Sequence, residues 1–257
     1  MEKINEVKKQ FGISSFVLHV IAMAAMLCDH LWGTSFVNSD LFGYVGRIAF
    51  PIFAFLIVEG YFYTKNLKKY LLRLLIFALI SEIPFNLMMA HDFIYPFHHN
   101  VLWTFLLSLI VIVFMEKTKH KHIAFRLIVY PIIIAVFYLL GMVTFVDYNG
   151  YGVLMVMLFY FTRVAPEDST VKKAVLLIIQ VIGMYIINVE MMKGQMLIVD
   201  IGGTSFEFAK QGLALLALPF IWLYNGKQGY YNKYVKYFYY VFYPAHMLVL
   251  GLWIYLL

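Results

Sequence analysis

Residues 14–32, SSFVLHVIAMAAMLCDHLW, form an apolar run of the length that crosses a bilayer, with Asp29 and His30 near its end. A transmembrane helix needs about 20 mostly apolar residues. Ionisable side chains are costly in hydrocarbon, so those within spans normally face the protein interior and mark working sites. We therefore expect a helical membrane protein whose function depends on what Asp29 and His30 face.

The composition of the whole chain supports this expectation. Of its 257 residues, 63% are hydrophobic and 13% are charged, and the mean hydropathy is +0.81. Soluble domains average about half apolar and a quarter charged residues. The net charge of +6 comes from basic residues in short loops between apolar runs, which indicates membrane topology and not nucleic-acid binding. Cys28 is the single cysteine, so the chain forms no internal disulfide.

We expect an all-α fold of about nine spans in one integral membrane domain over residues 1–257. The spans run approximately over 14–33, 41–62, 70–90, 100–116, 123–142, 149–164, 171–190, 208–224 and 237–256. All of the 20 Lys and Arg residues except Arg47, Lys193 and Lys210 then fall on one side. Since basic loops stay inside, the N-terminus is expected in the cytoplasm and the C-terminus outside.

The longest connection on the predicted outer side is residues 189–211. It contains the pair Gly202 and Gly203 together with residues of both charges. This composition favours either an ordered lid or re-entrant turn, or a plain loop.

Arg47 enters the second span at about the depth at which Asp29 leaves the first. Asp29 and His30 are about 100° apart around a helix, so Arg47 is a better partner for Asp29 than His30 is. One interpretation is an ion pair that only holds two helices together. The other is an ion pair beside a reaction site in which His30 acts as acid or base. Asp29, His30 and Arg47 are therefore the candidate catalytic residues.

Further polar side chains occur in the other spans, where each could contact a substrate or form an interhelical hydrogen bond. Pro84 is expected to kink the third span, because proline removes a backbone donor. The kink would lie beside a cavity that satisfies the freed backbone. The candidate substrate-binding residues are Glu82, Asn86, Asn100, Asp147, Tyr243 and His246.

Two other groups of charged residues carry weaker expectations. Glu59, near the inner end of the second span, is expected to pair with Lys65 or Arg73. The outer loop that holds His91, Asp92, His98 and His99 lacks the tight spacing of metal ligands, so we expect no metal there.

Five segments together resemble the TraX family, in the same order and over almost the whole chain. They are AMLCDH at 25–30, GRIAFPIFAF at 46–55, ISEIPFN at 80–86, DYNGYG at 147–152 and FYPAH at 242–246. More remotely, the chain is similar to transmembrane acyltransferases of the acyltransferase-3 and heparan-alpha-glucosaminide acetyltransferase kind. Those enzymes place an essential histidine early in the chain, and His30 matches it by position.

The resemblance implies a multi-pass acetyltransferase of the bacterial cytoplasmic (inner) membrane. The family's namesake acetylates a pilin N-terminus with acetyl-CoA, so acetyl-CoA is the expected donor. Membrane lipids surround the chain, and the acceptor is a pilin-like peptide, an envelope glycan or a lipid head group. His30 would take a proton from the acceptor, and Arg47 or Asn86 would stabilise the oxyanion. A proton-coupled transporter or flippase that uses Asp29, His30, Arg47 and Glu82 as a relay is the alternative, and a noncatalytic assembly factor is a third.

Overall fold

The computed structural model describes residues 12–165 and 168–256, and almost all regular structure in these ranges is helical. Lys3, Lys8 and Lys9, which contribute to the predicted orientation, lie outside the described residues. The helices are α1 Ser15–Gly33, α2 Asp40–Gly46, α3 Ala49–Tyr63, α4 Leu67–Ala90, α5 Val101–Thr118, α6 Ile123–Val143, α7 Asn149–Phe161, α8 Thr170–Tyr185, α9 Ala217–Trp222 and α10 Lys233–Tyr255. A π-helical turn, Ile186–Met191, continues α8, and a 3₁₀ segment, Lys210–Leu216, precedes α9.

Each of the predicted spans corresponds to a helical stretch. Seven of these stretches in the described residues are long and apolar enough to cross a membrane. The other two, Asn149–Phe161 and Lys210–Trp222, are shorter. The 13 residues of α7 rise only about 20 Å, less than the hydrocarbon thickness of about 30 Å. The prediction of an all-α polytopic membrane protein is confirmed, and two of its helices are too short to span the core alone.

The described chain forms two compact units. The first consists of the residues up to Leu56 together with Met184–Phe242, and the second of Ile57–Gly183 and the residues from Tyr243 onward. A single domain over residues 1–257 stays a prediction.

The first unit is organised around the contact of α1 with α2. Ser14 caps α1 and accepts a hydrogen bond from the Val17 N–H at 3.4 Å. Leu18 and Ala22 on α1 are fully buried, as is Ile52 on α3. The contact of α1 with α2 places the end of α1, which carries Asp29 and His30, beside this short helix.

The second unit is built around α5, which packs against α4, α6 and α7. Its core contains the fully buried side chains of Leu109, Ile112 and Met155. The contact between α6 and α7 is close enough that a Cβ on Gly141 would lie 2.9 Å from the backbone oxygen of Asn149. By contrast, the apolar window of α6 is 0% buried in protein, as befits a helix that faces lipid.

The long connection at 189–211 is largely a β-hairpin and not a re-entrant or irregular loop. Strand β1, Met196–Ile201, pairs antiparallel with β2, Thr204–Ala209. Gly202 and Gly203 both have positive φ, 60° and 85°. That is the geometry of a two-residue turn joining right-twisted strands, and the glycines adopt it without strain. The glycine pair between two runs of strand-forming residues was the signal for a hairpin.

Candidate functional site

The predicted ion pair between Asp29 and Arg47 is present, and it lies in the first unit. An Arg47 Nη2–H donates to Asp29 Oδ1. The side chain of Asp29 is 24% exposed and that of Arg47 is 20% exposed, so most of each is removed from solvent. Gly46 makes this approach possible, because a Cβ there would overlap the Asp29 side chain. The small residue before Arg47 is therefore part of the site.

The guanidinium of Arg47 is also fixed from two further directions. Its Nε–H donates to the Gly43 carbonyl at 3.2 Å, and Nη1–H donates to Gln211 Oε1 at 3.2 Å. A planar guanidinium with donors in a fixed fork is well suited to several partners at once. Arg47 is thus held rigidly by α1, α2 and the 3₁₀ segment, more than a simple staple between two helices requires.

The network continues to a residue that the sequence analysis missed. The Gln211 side chain donates through Nε2 to Asn188 Oδ1 at 3.1 Å, and Asn188 Nδ2 donates to the Met184 carbonyl at 2.8 Å. Asn188 is 0% exposed and sits in the π-helical turn. Such turns are rare and frequently occur at functional sites. Asp29, Arg47, Gln211 and Asn188 therefore form one continuous hydrogen-bonded chain.

His30 follows Asp29 on α1 and is half-buried. The helix ends just after it, where the Thr34 hydroxyl donates to the His30 carbonyl at 2.7 Å. His30 is thus placed in the last turn of α1, next in the chain to Asp29 of the ion pair. Its role as acid or base stays a prediction.

Lys210 is a further residue that the sequence analysis missed, after Gln211 and Asn188, since it was counted there only as an outer basic residue. Its side chain is buried, and Nζ lies 3.4 Å from the centroid of the Trp32 ring. The ring of Tyr44 is 5.3 Å from the same nitrogen. Trp32 is itself oriented by its Nε1–H, which donates to Asp40 Oδ1 at 3.0 Å. An ammonium over an indole face is a favourable cation–π geometry.

The predicted substrate-binding residues lie in the second unit, and two of them, Glu82 and Asn100, contact each other. Glu82 Oε1 accepts hydrogen bonds from the Asn100 backbone N–H at 3.3 Å, from Asn100 Nδ2–H and from Trp103 Nε1–H at 2.7 Å. The other carboxylate oxygen is 3.1 Å from His99 Nδ1. A carboxylate has enough lone pairs for all of these contacts. Glu82 and Asn100 thus join α4 to the beginning of α5.

Asp147 and Tyr243 lie near this junction in the same unit. Thr104 Oγ1 donates to the Asp147 carbonyl, and the Asp147 N–H donates to the His99 carbonyl at 2.8 Å. Tyr243 is buried close to Val101. Tyr148, next to Asp147, adopts a left-handed φ of 61°. Non-glycine residues in this region are strained, and such strain is often found at functional sites.

Asn86 and His246 complete the predicted set. Asn86 Nδ2 donates to the Phe93 carbonyl at 3.3 Å, while its Oδ1 is buried with no hydrogen-bond partner among the described residues. His246 is half-buried, with its ring centroid 6.0 Å from that of Tyr243. Pro84 lies within α4, which continues as one helix through Leu67–Ala90. The substrate-binding role of all six residues stays a prediction.

The prediction that Glu59 pairs with Lys65 or Arg73 was wrong. Glu59 pairs with Arg163, whose Nε lies 2.7 Å from Glu59 Oε1, and not with Lys65 or Arg73. The guanidinium of Arg163 also stacks over the Phe62 ring at 4.3 Å. Proximity in sequence favoured the loop after α3, whereas Arg163 is brought in from the end of α7. The pair is a local feature of the second unit.

Two histidines of the 91–100 connection, His98 and His99, make contacts with carboxylates. His98 Nε2 lies 3.6 Å from Asp147 Oδ1, and His99 contacts Glu82. Among the described residues, no group of three or more His, Cys, Asp or Glu side chains is arranged to hold a metal ion. The nearby carboxylate of Asp147 raises the pKa of His98, and the charge of Glu82 adds to this against the opposing effect of burial.

This shift predicts how stability depends on pH. A histidine whose pKa is raised on folding stabilises the native state fully below its unfolded pKa of about 6.5, and the contribution is lost as pH rises through the folded value. The thermal midpoint of the wild type should therefore exceed that of His98→Gln most at pH 5.5–6, and the difference should shrink toward pH 8.5. A difference that is constant or grows with pH would contradict the assignment.

Comparisons with known proteins identify the family to which this chain belongs. The family model described as TraX protein matches residues 14–254, which include the ion pair, His30 and Lys210. A probable fimbrial assembly protein FimC, serogroup H1, from Dichelobacter nodosus is 28% identical over 258 residues, covering 94% of this chain and 96% of the relative. No solved structure gives a significant match. The more remote similarity to acyltransferase-3 and heparan-alpha-glucosaminide acetyltransferases stays a prediction. Because the family model covers nearly the whole chain, this multi-pass membrane protein belongs to the TraX family.

Proposed function

We propose that this chain is an acetyltransferase of the cytoplasmic membrane. It moves an acetyl group from cytoplasmic acetyl-CoA to an extracytoplasmic or membrane-associated acceptor, with His30 as the general base. The fimbrial assembly name of the Dichelobacter nodosus relative favours the N-terminal amine of a pilin-type protein over a glycan or a lipid head group. The family match and that name together support a role in pilin processing or fimbrial assembly.

The observation that carries this proposal is the chain of hydrogen-bonded partners around Arg47, which includes Asp29, the residue that precedes His30. Catalytic groups must be held within a fraction of an ångström of their productive positions. Arg47 is fixed by Asp29, Gln211 and the Gly43 carbonyl, and Gln211 is fixed in turn by Asn188. A pair that only joined two helices needs no such support from a third segment.

In the proposed reaction, the nitrogen of the acceptor amine attacks the thioester carbonyl carbon while His30 takes a proton from that amine. The carbonyl π electrons move to oxygen, and the tetrahedral intermediate collapses with cleavage of the carbon–sulfur bond. The protonated imidazole returns its proton to the thiolate of coenzyme A. Asp29 and Arg47 do not exchange protons in this scheme, and Asp29, the residue before His30, stays paired with Arg47.

The position of His30 sets a requirement on the donor. His30 is 15 residues beyond the first residue of α1, a rise of about 22 Å. With the N-terminus in the cytoplasm, the reacting thioester must enter the membrane domain to that depth. The extended pantetheine arm of acetyl-CoA provides a means of reaching it.

Donor binding is testable without an identified acceptor. Acetyl-CoA at 100 times its dissociation constant should stabilise the folded state by about 2.7 kcal/mol. For a chain of this size, the thermal midpoint of the purified protein in detergent should rise by roughly 5–10 °C. ATP at the same concentration serves as a nucleotide control and should give a smaller rise. The absence of a shift with millimolar acetyl-CoA would count against the acetyltransferase and in favour of the transporter or the noncatalytic assembly factor.

A further inference from the structure

Among the described residues, Lys210 is a lysine with a largely buried side chain and no ion-pair partner within 4.0 Å. Its side chain is only 7% exposed. Within the described residues, no hydrogen-bond acceptor binds Nζ and no carboxylate lies within 4.0 Å of it. A buried charge is normally paired, because removal from water costs a great deal of free energy unless a partner compensates for it. The Trp32 ring supplies part of that compensation and supplies no hydrogen-bond acceptor oxygen.

The nearby carboxylates are engaged elsewhere. Asp29 accepts from Arg47, and Asp40 is exposed and accepts from the Trp32 indole. Both are close enough to Lys210 to act on it electrostatically, as is Arg47. The ammonium therefore keeps its hydrogen-bonding capacity for a group that enters the site.

The position of the Lys210 side chain depends on a close approach to Gly43 and Trp32. Gly43 faces both Trp32 and Lys210, and a Cβ there would lie 2.7 Å from Trp32 Cδ2 and 2.9 Å from Lys210 Nζ. Lys210 also directly precedes Gln211, which binds Arg47. The residue that fixes the guanidinium and the residue that carries the ammonium are thus consecutive in the chain, at the junction of β2 with the 3₁₀ segment.

We propose that Lys210 is the oxyanion-binding residue of this site, so that its ammonium binds the acyl carbonyl oxygen and becomes paired when that oxygen turns anionic. This inference rests on the proposed acetyl transfer and replaces the sequence-based assignment of the oxyanion to Arg47 or Asn86. A fixed donor aimed at a developing oxyanion commonly contributes about 10²–10³-fold to a rate. The bonds that form and break are those of the scheme above, with Lys210 keeping its proton throughout.

The first test uses acetate as an oxyanion probe and needs no acceptor. Sodium acetate should raise the thermal midpoint of the wild type saturably in the millimolar range, relative to sodium chloride at equal ionic strength. The shift should persist in Lys193→Met, which removes an exposed lysine of the same unit. It should vanish in Lys210→Met and in Lys210→Gln, two variants that keep an aliphatic stem against Trp32. An equal acetate shift in the Lys210 variants, or none in the wild type, would overturn the inference.

Ligand-free stability separates an oxyanion-binding residue from a structural one. Replacing an unpaired buried charge should leave the thermal midpoint of Lys210→Met equal to or above that of the wild type. A structural cation should instead lower the midpoint while leaving the acetate shift in place, and that result would contradict the inference.

Kinetics then separate this inference from the proposed function. In Lys210→Met, kcat for acetyl transfer should fall by about 10²–10³-fold, with KM for acetyl-CoA changed by less than about threefold. Normal kcat in this variant would refute the role of Lys210 and leave the acetyltransferase intact. Conversely, Lys210-dependent acetate binding without any transfer by the wild type would refute the acetyltransferase and leave an anion site at Lys210.

Discussion

His30→Gln is expected to lower the rate of acetyl transfer by about 10²–10⁴-fold while leaving the protein folded in the membrane. Glutamine is close to histidine in size and polarity but cannot accept and return a proton near neutral pH. The rate of coenzyme A release per folded molecule is the quantity to measure, with the thermal midpoint recorded for each variant.

His19→Gln is the matched control for this variant. His19 lies on the same helix, its Nδ1 is 2.7 Å from the Ser15 carbonyl, and its ring stacks on Tyr239 at 4.4 Å between centroids. These contacts give His19 a packing role, so its replacement should affect stability more than the rate per folded molecule. Near-normal turnover in His30→Gln, or an equal loss of rate in both variants, would exclude His30 as the general base.

Arg47→Met is expected to destabilise the protein more than Arg47→Met combined with Asp29→Asn. The single change leaves a largely buried carboxylate without its guanidinium and removes a donor from Gln211. Loss of one partner of a fully buried pair costs about 3–5 kcal/mol, and the partial exposure here reduces that to about 1–3 kcal/mol. The thermal midpoint should therefore fall by roughly 3–10 °C.

The double-mutant cycle isolates the interaction of Asp29 with Arg47. The midpoint of the double variant should lie above the value expected from adding the two single effects, because neither charge is then left alone. Thermal unfolding of the four proteins in the same detergent provides the comparison. Additive effects would mean that Asp29 and Arg47 act independently, and the fixed charge pair that the proposed function assumes would have no basis.

The sequence predicted those features that depend on residues close to one another in the chain. Bilayer thickness requires long apolar runs, so the positions of the spans could be read directly. Asp29 and Arg47 lie on consecutive spans joined by a short connection, and matching their depth was sufficient to pair them. Glu82 and Asn100 likewise lie on consecutive helices, although their mutual contact was not foreseen.

The features that escaped prediction depend on segments distant in sequence. Gln211 reaches Arg47 across 164 positions, and Arg163 reaches Glu59 across 104. The buried state of Lys210 depends on Trp32 and Gly43, and the position of Asn188 depends on a π-helical turn with no evident signature in the sequence. Hydropathy gives the depth of a residue in the membrane and carries no information on which helices are neighbours.

The most direct test of the central claim is the transfer of labelled acetyl groups from acetyl-CoA in membranes that contain this chain. Membranes with the wild type should incorporate label at the N-terminus of an envelope protein, identified by mass spectrometry of the recovered acceptor. Membranes with equal amounts of His30→Gln should incorporate label only at background level. An unlabelled envelope fraction with the wild type, or equal labelling with both proteins, would contradict acetyl transfer by His30.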